Sequence, residues 1–366
     1  MENNELIMTL DAGGTNLVFS AICRGEEIVE PVHMPSSTDD LEGCLQTIVA
    51  GFEAVKRLLP APPTAISFAF PGPADYEGGI IGGNVPNLKA FRGGVALGPF
   101  LEEHFGIPVF INNDGNLFAY GEALSGMLPE INARLEAAGN PKRYRNLLGL
   151  TLGTGFGSGV VINGELLRGD NQVGGCIWCQ SNKKYPEYIV EESVSIRAVR
   201  RVYAERSGDT TERTPKEIFE IAEGIVPGDR EAAVAAFAEL GEMAGYAIAA
   251  VITVVDGLVV IGGGLSGAAK YILPSLMKEL RTTTGMMDGT RFSRLQMTPY
   301  NLEDPDDMAA FLENSATKVT VPGTDREVNY DTARRIGIAI SRQGTSRSIA
   351  LGAYWFAINQ LNKSKK

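Results

Sequence analysis

Leu6-Ile7-Met8-Thr9-Leu10-Asp11-Ala12-Gly13-Gly14-Thr15-Asn16-Leu17-Val18-Phe19-Ser20-Ala21-Ile22-Cys23-Arg24-Gly25 is an apolar run broken by a glycine loop, resumed, and closed by a turn. It reads as a strand, a loop and an antiparallel strand. The pattern returns at Leu147 to Leu152, where Gly153-Thr154-Gly155 breaks the run, Gly159 to Ile162 resumes it, and Asn163-Gly164 closes it. Gly14 to Gly25 spans eleven positions, as does Gly153 to Gly164. The spacing predicts an internal duplication: two domains, each opening with a strand–glycine loop–strand hairpin.

Between and after the two hairpins, strands alternate with helices. Leu41 to Leu59 has helical spacing, with Leu41, Leu45, Ile48 and Phe52 on one face. Thr64 to Phe70 and Pro108 to Ile111 read as strands, Val95 to Phe105 and Asn116 to Leu124 as helices. Later come helical stretches at Val190 to Ala204 and Ala232 to Val255, and a strand, Leu258 to Ile261, running into Gly262-Gly263-Gly264. Alternation of this kind argues an α/β architecture. Three segments read as insertions: a surface helix in Leu128 to Arg145, a polar loop at Lys183 to Tyr188, and Gly285 to Gly344, whose periodicity places no element.

Bulk properties narrow the function. The 366 residues carry 44 acids against 33 bases, a net charge of -11. That balance argues against nucleic acid as a partner, since such proteins show a basic face. The longest apolar run, Ala244 to Val255, is 12 residues and ends at Asp256. A bilayer needs about 20, so a buried helix and no membrane partner are expected. No basic segment followed by an apolar run opens the chain, so no signal peptide is expected. Four cysteines, at 23, 44, 176 and 179, fit a reducing compartment, and the expectation is a cytoplasmic protein.

Glycine is in excess, at 43 residues. Three glycine loops follow apolar strands directly: Asp11-Ala12-Gly13-Gly14-Thr15, Gly153-Thr154-Gly155 and Gly262-Gly263-Gly264. Glycine lets backbone N–H groups approach phosphate oxygens, and ligands in open α/β sheets sit beyond the carboxyl ends of strands. No Gly-x-x-x-x-Gly-Lys-Ser/Thr occurs, which excludes a P-loop. Gly262-Gly263-Gly264-Leu265-Ser266-Gly267 matches a dinucleotide fingerprint, but it lies late in the chain, with no acid ending a clear strand about 20 residues on.

Asp11-Ala12-Gly13-Gly14-Thr15, Pro71-Gly72-Pro73, Pro86-Asn87-Leu88, Asn113-Asp114 and Gly153-Thr154-Gly155-Phe156-Gly157-Ser158-Gly159 occur in the order seen in ROK-family sugar kinases, and from Leu6 to about Leu280 the chain resembles them. The resemblance implies the actin-like ATPase fold: two duplicated RNase H-like lobes of actin and hexokinase type, with a cleft between them. Residues 1–126, joined by the helix 346–366, would form the first lobe, and 127–345 the second. It implies ATP and Mg²⁺ as cofactors, and a hexose, glucose or an N-acetylated hexosamine, phosphorylated at its 6-hydroxyl by lobes that close on it. Dimers are frequent among such kinases, so a homodimer is carried as an expectation. Some family members are repressors with an N-terminal helix-turn-helix. Here the first loop begins at residue 11, so none is expected.

Phosphoryl transfer needs a carboxylate near the acceptor hydroxyl, donors around the phosphates and a divalent cation. Asp114, between an apolar strand and a helix, is the candidate base, or else a helix N-cap. Asp11 would hold Mg²⁺ through water, or shape its loop as an Asx-turn. By resemblance, Gly13, Gly14, Thr15 and Asn16 would serve one phosphate loop, Gly153, Thr154 and Gly155 the second, and Gly262, Gly263, Gly264 and Leu265 the adenosine. Gly72, Asn87, Asn113 and Asp114 would meet the sugar, although Asn87 also suits a turn. Glu191 matches a family sugar ligand, with Glu192 as the other candidate for that role.

The chain departs from the family in one stretch. Where ROK proteins carry Glu-x-Gly-His and then a zinc cluster, it reads Gly174-Gly175-Cys176-Ile177-Trp178-Cys179. Gly175 takes the Glu position and Trp178 the His position. No structural zinc is expected, and Cys176 and Cys179 read as two partly buried thiols. Trp178 would stack on a sugar face or join the core. The same departure motivates an alternative function, a non-catalytic sugar or nucleotide sensor of the same family.

Overall fold

The structure, a computed structural model, describes residues 4–12, 16–35, 40–83 and 89–365. Strands β1 (Ile7–Ala12), β2 (Asn16–Cys23), β3 (Glu26–Glu27), β4 (Val32–Pro35) and β5 (Ala65–Ala69) are followed by a short hairpin of β6 (Ala74–Asp75) and β7 (Ile80–Ile81), then by β8 (Val109–Asn112). They form a sheet of order β3-β2-β1-β5-β8 with β4 also on β2; β6 and β7 pair apart from it. β1 is antiparallel to β2 and parallel to β5, which is parallel to β8. The second sheet repeats this order. It runs β11-β10-β9-β12-β18-β15, built from β9 (Leu147–Leu152), β10 (Phe156–Ile162), β11 (Glu165–Leu166), β12 (Leu258–Gly262), the edge strand β15 (Thr298–Asn301) and β18 (Arg335–Ile340). Two separate hairpins, β13 (Thr283–Gly285) with β14 (Arg291–Ser293) and β16 (Thr317–Thr320) with β17 (Glu327–Tyr330), lie off it.

The duplication extends to the turns. Arg24 and Gly25 have φ of 54° and 80°, and Asn163 and Gly164 have 51° and 79°. Two successive positive φ values make the two-residue turn whose twist suits a hairpin.

In the first sheet one face packs on helix α1 (Leu41–Leu58), through Cys44, Ile48, Phe52 and Val55. Phe52 meets Phe19 of β2 edge-on at 5.1 Å. Each such buried side chain contributes about 1.5–3 kcal/mol relative to exposure. The other face carries Ile7, Ile22 and Ala65 against Leu351, Tyr354, Ala357 and Ile358 of the C-terminal helix Thr345–Ser364. That helix crosses α3 (Asp114–Leu124), which follows α2 (Leu97–Phe105), at two glycines. A Cβ on Gly121 would lie 1.9 Å from the Ser348 carbonyl oxygen, and one on Gly352 1.8 Å from that of Leu117. The fully buried Glu122 accepts a hydrogen bond from Ser348 Oγ at 2.5 Å.

The chain divides into two compact units, residues 1–126, 159–175 and 343–366, and residues 127–158 and 176–342. Residues 159–175, expected with the second lobe, belong with the first. Gly159 explains the placement: a Cβ there would sit 2.5 Å from the Gly115 carbonyl oxygen of α3.

Two expectations are corrected in the second unit. The surface helix of 128–145 is instead α4 (Met127–Ala137), which buries Met127, Leu128, Ile131 and Leu135 and leaves the remaining residues non-helical. The unplaced segment 285–344 supplies two strands of the second sheet, β15 and β18, separated by α9 (Pro305–Leu312) and the exposed β16–β17 hairpin. The remaining helices are α5 (Ile196–Ser207), α6 (Pro215–Glu223), α7 (Arg230–Val255) and α8 (Ala269–Leu280). α7 is the one helix among the described residues long and apolar enough to cross a membrane, and most of its apolar window is buried in the protein. The polar loop 183–188 is tied to it by Lys184–Glu239 and Lys183–Glu242 ion pairs.

Candidate active site

In the first unit, the parallel strands β1, β5 and β8 end at one edge of the sheet. Asp11 emerges there, exposed, after four buried residues of β1. Asp114 emerges after β8 as the first residue of α3. The helix is capped by Asn113, whose Oδ1 accepts the Gly115 N–H at 2.9 Å; Asp114 Oδ1 accepts the same N–H at 2.8 Å. The N-cap alternative for Asp114 therefore gives way to Asn113. The turn is set from below by Asn112, which is 1% exposed. Its Oδ1 accepts the Asn113 N–H at 2.8 Å and Asn116 Nδ2 at 3.0 Å. Sequence reading passed over Asn112 and Asn116, although the run Asn112-Asn113-Asp114-Gly115-Asn116 was the available signal.

The Asp114 carboxyl keeps surface open to solvent, yet enough protein surrounds it that lost hydration raises its pKa above the usual aspartate range. The N–H groups of Gly115 and of Asp114 itself pull the other way, and the negative charge of Asp11 raises it further. The two carboxylates thus share a sheet edge and sense each other.

Other residues of this unit fall as follows. Gly72 packs under Tyr76, whose hydroxyl a Cβ would meet at 2.8 Å and which donates to the Phe70 carbonyl at 2.9 Å. Asn16 is exposed at the start of β2, opposite Pro35. Gly13, Gly14, Thr15 and Asn87 lie outside the described residues.

In the second unit, β9 and β12 are parallel with Gly262 opposite Thr151, so Gly153-Thr154-Gly155 and Gly262-Gly263-Gly264 leave the sheet side by side. Gly263, at φ +89°, lies against the end of β9: a Cβ there would sit 2.3 Å from the Leu152 carbonyl oxygen. Thr154 is exposed and Leu265 is buried behind the loop. A Cβ on Gly153 or Gly264 would meet nothing within 4 Å. Bare backbone facing open space is what nucleotide phosphates require, so these loops fit ATP.

Glu191 sits behind the first of these loops. Its Oε2 accepts the Phe156 N–H at 2.9 Å and its Oε1 accepts from Arg197 at 3.2 Å, while the more exposed Glu192 accepts from Arg197 at 2.9 Å. Arg197 carried no signal, being one of four arginines on α5. The helical stretch expected from Val190 is a 3₁₀ turn, Val190–Ser193, before α5 starts at Ile196.

At the departing stretch, Gly175 has φ +82°, a conformation that a Glu would rarely adopt. Trp178 is 42% exposed and so no core residue. Cys176 and Cys179 are both exposed, correcting the expectation of partly buried thiols. Among the described residues no group of three His, Cys, Asp or Glu is placed to hold a metal ion. Magnesium asks for less: it keeps several waters and takes one or two carboxylates. Asp11, exposed and within electrostatic range of Asp114, fits that mode.

The sequence model of the ROK family matches residues 7–304. This chain belongs to the ROK family. A glucokinase of Parabacteroides distasonis is 66% identical, with 98% of each chain covered and a TM-score of 0.90. An N-acetyl-D-glucosamine kinase of Photobacterium profundum is 26% identical over 321 residues, 78% of this chain and 98% of that one. A ROK hexokinase of Thermus thermophilus, 21% identical with a TM-score of 0.65 over 97% of this chain and 99% of its own, shares the fold. The ROK match takes in strands of both sheets.

Proposed function

We propose that this chain transfers the γ-phosphoryl group of ATP to the 6-hydroxyl of a hexose, glucose or an N-acetylhexosamine, with Asp114 as general base. At the coarser level it is an ATP-dependent sugar kinase of the ROK family. The observation that carries the finer reading is the Asp114 carboxylate: held at the carboxyl edge of the sheet beside Asp11, with its pKa raised toward working pH.

In this reading Asn113, Gly72, Asn87 and Glu191 position the sugar. The amides of residues 13–16 and 153–155 hold the phosphates, and the loop 262–265 borders the adenosine. Mg²⁺, when bound, offsets phosphate charge, and Asp11 would hold it through water. Asp114 accepts the hydroxyl proton as the sugar oxygen bonds to the γ-phosphorus and ADP leaves. The proton stays on the carboxyl until product departs. A homodimer and a cytoplasmic site of action accompany this reading.

The test is ADP release with ATP and Mg²⁺ against glucose, fructose, mannose, N-acetylglucosamine and N-acetylmannosamine. Turnover with glucose or an N-acetylhexosamine is expected. ATP binding with no turnover on any sugar would instead favour the sensor reading, which Gly175 and Trp178 in place of the family's Glu and His motivate.

A pH profile follows. The base must be ionised, so kcat/KM should fall as pH drops through the Asp114 pKa. The midpoint of that acid limb is expected above the ordinary aspartate value of about 4. Asp11→Asn removes a neighbouring negative charge and should move the limb to lower pH. A limb that stays in place would contradict the coupling between the two carboxylates.

A further inference from the structure

The loop 153–155 is held from behind by a side chain that none of the roles above includes. Its ends are fixed by backbone: Ile196 N–H donates to the Gly153 carbonyl at 2.8 Å, and Gly153 N–H donates to the Gly155 carbonyl at 3.1 Å. Its centre is fixed by one guanidinium. Arg197 Nη1 donates to the Thr154 carbonyl at 3.2 Å, while Nη2 donates to Glu191 Oε1 at 3.2 Å and to Glu192 Oε1 at 2.9 Å. Glu191 in turn takes the Phe156 N–H at 2.9 Å, on the far side of the same loop. A Cβ on Gly155 would lie 2.7 Å from Glu191 Oε2, so glycine at this position admits the carboxylate as well as a phosphate.

We propose that Arg197 is the positioning residue of the second phosphate loop, fixing the orientation of the Thr154–Gly155 peptide and hence the direction of the Gly155 N–H. In a trans peptide the carbonyl and the next N–H point to opposite sides. A peptide bordering glycine rotates at little steric cost, because glycine tolerates both signs of φ. Without a partner, the Thr154 carbonyl could turn toward the phosphates and withdraw the Gly155 donor from them. The guanidinium holds the carbonyl on the protein side, and Glu191 and Glu192 hold the guanidinium through its planar fork. Arg197 is 50% exposed, so packing does not account for its place. The proposal rests on the reading that residues 153–155 bind ATP phosphates.

The test compares wild type, Arg197→Ala and Arg197→Lys by MgATP and hexose binding calorimetry and by hydrogen–deuterium exchange of the peptide containing Gly155. Loss of the charge-assisted bond to the loop should weaken MgATP binding about tenfold in Arg197→Ala. Gly155 exchange should quicken, and hexose affinity should fall less than MgATP affinity, because Glu191 loses its bond from Arg197 but keeps the one from the Phe156 N–H. Arg197→Lys should recover part of the MgATP affinity, since an ammonium reaches the carbonyl but lacks the fork that meets two carboxylates at once. Unchanged Gly155 exchange in Arg197→Ala would overturn the proposal whatever the turnover. So would equal losses of MgATP and hexose affinity, which would mark a general structural role. A wild-type chain that binds MgATP but transfers nothing to any sugar would contradict the proposed function and leave this test standing.

Discussion

Asp114→Asn is expected to leave the fold intact and to lower kcat by about 10²- to 10⁴-fold, the usual contribution of a general base. The fold should survive because the carboxylate's structural duties are shared. Asn113 Oδ1 accepts the same Gly115 N–H, and the Asn112 side chain fixes the preceding turn. An asparagine oxygen can still accept the Gly115 bond, but the amide cannot take the hydroxyl proton at neutral pH. The substitution also removes a negative charge beside Asp11, so MgATP affinity should hold or rise slightly while kcat falls. Circular dichroism and a melting curve check the first half, and steady-state kinetics with the preferred hexose the second. Near-normal turnover in a folded mutant would remove Asp114 from the chemistry.

The second large effect is on stability. Gly352→Ala should cost about 3 kcal/mol, at the upper end for an overpacked site. The new methyl would meet the Leu117 carbonyl oxygen at 1.8 Å, and a helix backbone cannot yield as a flexible side chain can. The facing contact, Gly121 against the Ser348 carbonyl, is equally tight, so the two helices cannot slide apart on one side alone. Leu117 lies one turn from Asp114, and any separation of the helices would move the base. Reduced kcat should therefore accompany the lost stability. Gly93→Ala is the control: its methyl would meet nothing within 4 Å, and the change should stay within about 0.5 kcal/mol. Urea unfolding of the two variants checks the contrast. Equal midpoints would mean that the helix crossing is looser than its geometry.

The fold was legible where local chemistry and tertiary role coincide. The runs before and after each glycine loop are apolar because β1, β2, β9 and β10 are central strands, and the turns Arg24-Gly25 and Asn163-Gly164 carry their own conformational requirement. Strand β15 gave no such signal. Of Thr298-Pro299-Tyr300-Asn301 one residue is buried, and its place comes from pairing with β18 some 35 positions on. The β16–β17 hairpin is exposed throughout and masked the return to the sheet at Arg335. In α4 the spacing of Leu128, Ile131 and Leu135 was present, but the polar residues between them suggested a surface.

The site divides in the same way. Asp11, Asp114 and the two glycine loops stand at strand ends, as their place directly after apolar runs predicts. The assignment of the helix cap to Asn113 turned on one position in an Asn-Asn-Asp run, which spacing alone could not resolve. Glu191 and Arg197 act on a loop some 35 to 45 residues earlier, a relation set by the sheet and by the 3₁₀ turn at Val190–Ser193.

In the proposed reaction phosphate passes from ATP to a sugar oxygen while Asp114 takes the proton. A single-turnover experiment with γ-labelled ATP, Mg²⁺ and the preferred hexose, followed by separation of the products, tests it most directly. Label appearing in the hexose 6-phosphate with wild type, and failing to appear on the same timescale with Asp114→Asn, is the predicted result. Label that remains in ATP, or passes only to inorganic phosphate, or reaches the sugar equally fast in the mutant, would contradict it.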